Sequence, residues 1–378
     1  MDEQNTLMLI SHLLLIVALA VRPSPRRWLF FLPILFGALY TIFFTTSANA
    51  TTDYVMGGMA FGLLVKSSDF ILLTDVQREL RRKDQPSLPF TYSLPRRLRW
   101  AIDLFFSARL VGWNAERPSV LPPQPRQKTR SSFVIYQLWR VFLELMIYDL
   151  AGLWNQYGPS FHIYHIIHPI FNVPDFVLPT AIGLSAQHRL YSIICVATGR
   201  WKPDDFPSWY GSWRDAYTLR KFWGQVQTQP NLAAIQLTYN TIVDHGTKEC
   251  AAVLGLKAGG NPSAYVQLYT AFLISGLIHY ACDRMALRNW SGGALQFFMG
   301  QAVAIHVEDI VLAIAQRLGV KERPAWRVLG YTWVWAWFAW RIPTWQGLIL
   351  AMGYQEDSPK IKIIESVWSY LHASDPSN

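Results

Sequence analysis

Residues 272–280 read FLISGLIHY. The run is uncharged and rich in Phe, Leu and Ile, which predicts a helix sunk in lipid or among other helices, yet it closes on an imidazole, His279. A titratable side chain at membrane depth is costly; where it occurs it faces a bundle interior or a wet cavity and marks a function. Ser275 and Gly276 lie about one turn earlier on the same face, and small residues there let a neighbouring helix approach closely. A blander reading also stands at this point: a lone histidine near a helix end can hydrogen-bond a neighbouring carbonyl.

The sequence around this run has the composition of a membrane protein. Of 378 residues, 51% are hydrophobic, 15% aromatic and 16% charged, where a soluble domain carries about 25% charged residues. Apolar runs of the length that crosses a hydrocarbon core lie at 7–21, 28–46, 55–74, 131–153, 173–197, 264–282, 293–317 and 325–352. A ninth, 232–256, is amphipathic. The expected fold class is therefore all-α, a polytopic membrane helix bundle of about eight or nine spans with interfacial helices. No repeat, low-complexity tract or linker divides it, so one membrane domain is expected. The first run lacks a basic leader and a small-residue cleavage site, and reads as an anchor rather than a removed signal peptide.

The formal net charge of +9 does not call for a nucleic acid. Twelve Lys or Arg residues fall between Arg78 and Arg130, and another basic cluster, RPSPRR, spans 22–27. Both flank apolar runs, as the positive-inside rule and attraction to anionic headgroups require. With an acidic start, MDEQNT, this predicts a lumenal N-terminus and cytosolic segments at 22–27, 75–130 and 198–231. Asn49-Ala50-Thr51 is then a glycosylation sequon on the lumenal side, close to the membrane. Within 84–130, WAIDLFFSARLVGW has apolar residues at helical spacing and reads as an interfacial amphipathic helix. Cys195, Cys250 and Cys282 show no metal or disulfide spacing and read as small core residues.

Two stretches concentrate chemistry: KPDDFPSWYGSWRDAYTLRKFWGQVQTQ at 202–229, and SGLIHY at 275–280. Trp209, Trp213 and Trp223 read by default as interfacial anchors, and Asp204 and Asp205 as caps of a short helix. His162, His165 and His168 share a helical face, but no acidic or cysteine ligand is near, and no metal is expected. HVED at 306–309 sets two carboxylates in a span, with Glu308 facing inward as a structural group or an acceptor contact.

SGLIHY, preceded by an FWG-containing loop some fifty residues upstream, resembles the membrane-bound O-acyltransferase superfamily, in particular its wax-synthase-like branch of fungal secondary metabolism. LLTDVQREL (72–80), ARLVGWN (108–114), DDFPSWYGSWRDAYTLRKFWG (204–224), QAVAIHVE (301–308) and LGYTWVWAWF (329–338) fall in the family's order. The resemblance covers most of residues 55–345. It implies anchor helices over 1–54, a catalytic domain over 55–352 and a tail over 353–378.

It further implies transfer of an acyl group, acetyl or another short chain, from acyl-CoA to a hydroxyl of a terpenoid, meroterpenoid or similar lipophilic metabolite. The reaction is expected inside a tunnel in the endoplasmic reticulum membrane. CoA is a co-substrate reaching it from the cytosol, no cofactor is bound, and the remaining partners are the bilayer and the hydroxylated acceptor. The family's invariant histidine falls on His279, where a neutral imidazole takes the alcohol proton. The branch motif FWGRxWHQ is matched by Phe222, Trp223, Gly224 and Gln229. Gln225, Val226, Gln227 and Thr228 replace its middle, so Thr228 stands where the family has its second polar residue. Thr228 or Gln227 can hydrogen-bond a thioester carbonyl but neither accepts a full proton at neutral pH. Arg220 and Lys221 are placed to meet CoA phosphates at the cytosolic mouth. Two rival readings keep the scaffold without the transfer: an isomerase or cyclase using His279 on a hydrophobic intermediate, and a lipid-binding or transport protein, against which the lack of inverted repeats weighs.

Overall fold

The computed structural model describes residues 3–107, 110–116, 125–157, 164–226, 261–321 and 323–350. Among these the regular structure is helical, with one isolated bridge between Arg82 and Trp113. Helix α1 (Glu3–Ala20) is followed by the basic loop, a 3-10 turn (Arg27–Phe30) and α2 (Phe31–Phe44). Helix α3 (Ala50–Ser67) starts on Asn49, whose side chain caps it by accepting the Thr52 N–H at 2.8 Å, and continues through a π turn, Ser68–Leu73. The short α4 (Val76–Glu79) and α5 (Leu94–Phe106) follow. Then come α6 (Arg130–Tyr157), α7 (Tyr164–Ala197), α8 (Leu219–Val226), α9 (Asn261–Leu287), α10 (Ala294–Arg317) and α11 (Pro324–Leu350).

Four described helical stretches are long and apolar enough to cross a membrane: Glu3–Ala20, Arg27–Phe44, Ala50–Leu73 and Ala294–Arg317. The other expected runs, apart from 232–256, which lies outside the described residues, also fall on helices: α6, α7, α9 and α11. Their apolar character is diluted by groups such as Arg140, Glu144, Asp283, Arg284 and Arg341. Two of these are internal: Asp283 is buried, and Glu144 on α6 is buried and pairs with Arg189 on α7 at 2.9 Å, holding helices together rather than facing lipid.

The interfacial helix begins earlier than its apolar spacing suggested. It spans Leu94–Phe106, with Pro95 in its first turn, where the missing N–H costs nothing. Trp100, Ala101 and Leu104 are buried, and Arg97 donates to the Ala20 and Tyr92 carbonyls, locking α5 to the end of α1. Residues 110–113 of the expected helix are not helical: Leu110 and Gly112 have positive φ in a turn.

Helix α9 is the seam of the molecule. One face joins the cluster formed by α1, α2, α3 and α5 through Ala281 and Met285, and the other joins α8, α10 and α11 through Phe272. A Cβ on Gly57 of α3 would run into the Ala281 carbonyl, so the two backbones touch. Gly276 admits α10 in the same way, with Leu295 Cα 3.3 Å from where its Cβ would be. The small residues beside His279 thus act as the sequence implied. Cys195 and Cys282 are buried and unbridged; Cys250 lies outside the described residues.

Candidate active site

His279 sits eight residues before the end of α9, and it stacks on Phe298 of α10 with ring centroids 4.4 Å apart. Trp345 of α11 meets it edge-on at 5.2 Å. Its Nδ1 lies 2.8 Å from the Ser275 carbonyl. A carbonyl oxygen only accepts, so Nδ1 carries the proton and Nε2 keeps the lone pair. The bland reading of the sequence and the chemical one are therefore the same contact: a backbone bond fixes the tautomer of a base. The ring is half-buried, and no described side chain bonds Nε2.

The FWG segment arrives on α8. Phe222 packs on Phe338 at 4.6 Å, and Trp223 lies edge-on to Phe272 at 5.4 Å and 5.9 Å from Phe298, the ring that carries His279. Trp223 is no surface anchor: its indole N–H donates to Gln301 Oε1 at 3.2 Å. Trp223 is half-buried and Trp209, beside His188, is buried; of the three expected anchors only Trp213 is exposed. Gln227, Thr228 and Gln229 lie outside the described residues, as does the side chain of Gln225.

Gln301 opens the QAVAIHVE block, and no pattern in that block marks it for a role. It is 0% exposed, and its Oε1 accepts two indole donors, Trp223 and Trp337 (2.9 Å). Its Nε2 is buried without a partner. Gln301 lies one turn along α10 from Phe298, so an amide of fixed orientation presents an unused donor beside the His279 cluster. The signal in the sequence was a lone amide in an apolar span, the same kind of anomaly that exposed His279.

Glu308 has a different part. Its carboxylate accepts the Leu219 N–H at 2.8 Å, the Arg220 N–H at 3.3 Å and the Trp333 indole at 3.0 Å, capping α8 from another helix. Arg220 is ion-paired with Asp309, whose carboxylate raises its pKa further above the ordinary range. Lys221 leans on Tyr217, ammonium 3.9 Å from the ring centre, and is otherwise exposed. Asp205 closes a 3-10 turn by accepting the Lys202 N–H at 2.8 Å, while Asp204 reaches Lys128 at 2.7 Å. His162 lies outside the described residues, as do the side chains of His165 and His168, and no described group of His, Cys, Asp and Glu is arranged to hold a metal.

Residues 206–300, which include both the FWG segment and SGLIHY, match the model of the membrane bound O-acyl transferase family. Acetyltransferase ple2 of Rhodocybe pseudopiperita is 36% identical over 352 residues, 91% of this chain and 90% of the relative. Acetyltransferase eriL of Hericium erinaceus is 32% identical over 339 residues, 86% of each. The O-Mevalon transferase yanI of Aspergillus niger is 28% identical over 78% of this chain and 70% of its own length. No solved structure matches significantly. With near full-length similarity to curated acetyltransferases and the family's blocks meeting around one half-buried imidazole, this chain belongs to the membrane bound O-acyl transferase family and is an acyltransferase.

Proposed function

We propose that the protein transfers an acetyl group from acetyl-CoA to a hydroxyl of a lipophilic secondary metabolite, a terpenoid or meroterpenoid, within the endoplasmic reticulum membrane. The observation that carries this reading is the tautomer of His279: the Ser275 carbonyl holds the proton on Nδ1 and leaves Nε2 free to act as a base. Nε2 takes the proton of the acceptor hydroxyl as its oxygen attacks the thioester carbon. Negative charge builds on the carbonyl oxygen, and the spare Nε2 donor of Gln301 is suited to meet it. When the carbon–sulfur bond breaks, the imidazolium returns its proton to the leaving CoA thiolate, so ester and free thiol form with His279 regenerated. The aromatic lining supplied by Phe272, Phe298, Trp223 and Trp345 excludes water that would hydrolyse the thioester. Thr228 and Gln227 are proposed to orient the thioester, and Gln225, Gln229 and Lys221 to line the approach of CoA. Arg220, its charge committed to Asp309, contributes by holding α8. Acetyltransferase is the activity in the names of ple2 and eriL, which supports the donor chosen. Microsomes containing the protein, given labelled acetyl-CoA and an extract of hydroxylated terpenoids, should form a labelled ester; free labelled acetate without ester would overturn the choice of acceptor.

The proposed orientation puts the N-terminus in the lumen and 75–130 and 198–231 in the cytosol, with CoA entering from there. Contacts across the chain support this pairing of segments. Gln4 donates to Asp53 at 3.0 Å and Arg288 to the Thr45 carbonyl at 2.6 Å, gathering three short segments at one end. Arg82 meets Asp205 at 3.4 Å, and Lys128 meets Asp204, at the other. A cysteine placed at position 204 in sealed microsomes should react with an impermeant maleimide added outside, and one at position 47 should not. The opposite pattern inverts the route of CoA.

A further inference from the structure

A cavity of about 550 Å³ opens where the basic loop after α1 meets the end of the π turn, far along the chain from His279; Arg27, Trp28, Leu72, Leu73, Asp75 and Arg78 are among the residues that line it. Arg27 is 6% exposed. Its Nε donates to the Ala18 carbonyl at 3.1 Å and its Nη2 to the Phe70 carbonyl at 2.8 Å, and among the described residues no carboxylate is in ion-pair contact with it. A buried guanidinium is thus held rigidly at the cavity wall with no contacting counter-ion, a costly state unless something else supplies the charge. Asp75 shows the complementary deficit. One of its oxygens meets Arg78 at 3.4 Å, while Oδ1 is buried without a donor. Two guanidiniums, Arg27 and Arg78, share the single carboxylate of Asp75 at this opening, which leaves one positive charge of the lining uncompensated. On its rim Trp28, Leu72 and Leu73 are exposed at 49%, 48% and 40%, an apolar border of the kind that lies against acyl chains at a membrane interface.

We propose that this cavity seats the headgroup of an aminophospholipid, with the phosphate against Arg27 and Arg78 and the primary amine donating to the Asp75 carboxylate. Inorganic phosphate satisfies the cations only. Phosphatidylcholine carries the phosphate, but its quaternary nitrogen has no N–H to give. The site is separate from the proposed acyl transfer and stands or falls independently of it.

Native mass spectrometry of the full chain in detergent, supplied in parallel with phosphatidylethanolamine, phosphatidylcholine or inorganic phosphate, reads the occupant directly. Phosphatidylethanolamine should be retained about tenfold better than phosphatidylcholine, the scale of one hydrogen bond to a charged group. Asp75→Ala, at a position whose side chain makes no helix-capping bond, should erase that preference. Arg78→Ala should weaken retention of both lipids, and Arg27→Gln more so; because Arg27 also pins two carbonyls, circular dichroism of each variant is compared with the parent. Equal retention of the two lipids, or a preference that survives Asp75→Ala, would mean annular lipid only and overturns the proposal. Displacement of the lipid by inorganic phosphate overturns it too, in favour of a soluble anion.

Discussion

His279→Ala is expected to leave the protein inserted and folded while lowering ester formation by about 10²- to 10⁴-fold, the contribution of a positioned proton acceptor. The loss should appear in kcat, because removing a base affects the transition state rather than binding of either substrate. His279→Gln sharpens the test: an amide can keep a bond to Ser275 and fill the space beside Phe298 and Trp345, yet cannot take a proton. It should be as inactive as alanine. His306 does not substitute: it lies under Tyr265 with ring centroids 4.0 Å apart and bonds Tyr269, away from Phe298. Thr228→Ala should cost less than either, and Thr228→His, which restores the family's residue type, should be tolerated. Full activity in His279→Ala with loss in Thr228→Ala would reverse the assignment of roles.

Gln301→Met should produce the second large loss, about 10²- to 10³-fold in kcat, the range seen when one donor to a developing oxyanion is removed. Methionine matches the volume but offers neither the acceptor shared by Trp223 and Trp337 nor the spare donor. Two half-buried indoles then lose their partner, at about 1 kcal/mol each, so the melting temperature should fall as well. Trp337→Phe separates the two effects. It removes one indole bond and leaves the amide and its Nε2 in place, so stability should drop with kcat changed only slightly. If Trp337→Phe and Gln301→Met impair turnover equally, the amide acts by packing alone and is not an oxyanion donor.

Period and composition encode some features of this molecule and leave others silent. Helix positions followed from apolar runs because lipid and bundle interiors both demand them, and His279 was legible because an imidazole breaks such a run. The Gly276 contact was legible for a similar reason: a missing side chain has a local consequence. Gln301 was not, since its meaning depends on two tryptophans, 78 and 36 residues away in sequence, converging on one oxygen. Glu308 was placed inward correctly, but its partners are backbone groups of α8, which no side-chain pattern announces. The tryptophans misled for the converse reason. Trp suits a membrane interface by default, and only the crossing of α8 with α9 and α10 turns Trp223 into an inward donor. The start of α5 was missed because a proline normally signals a break, although it is harmless in a first turn.

The indoles of α11 also bear on how this half of the molecule can move. Trp333, Trp337 and Trp345 donate to Glu308, Gln301 and Asp283 at 3.0, 2.9 and 3.1 Å, bolting α11 to α10 and α9 at three heights. A shear of one turn, about 5.4 Å, would break all three at once in a medium with no water to replace them. Sliding is thereby disfavoured, and what remains is a hinge. Pro343 lies inside α11 between Trp337 and Trp345, where the ladder lacks an N–H. Bending there would leave the Trp333 and Trp337 bolts fastened, but it would strain the bond from Trp345, the ring edge-on to His279, to Asp283. That indole–carboxylate bond thus latches the aromatic wall beside the base, and widening the wall for a bulky acceptor requires releasing it first.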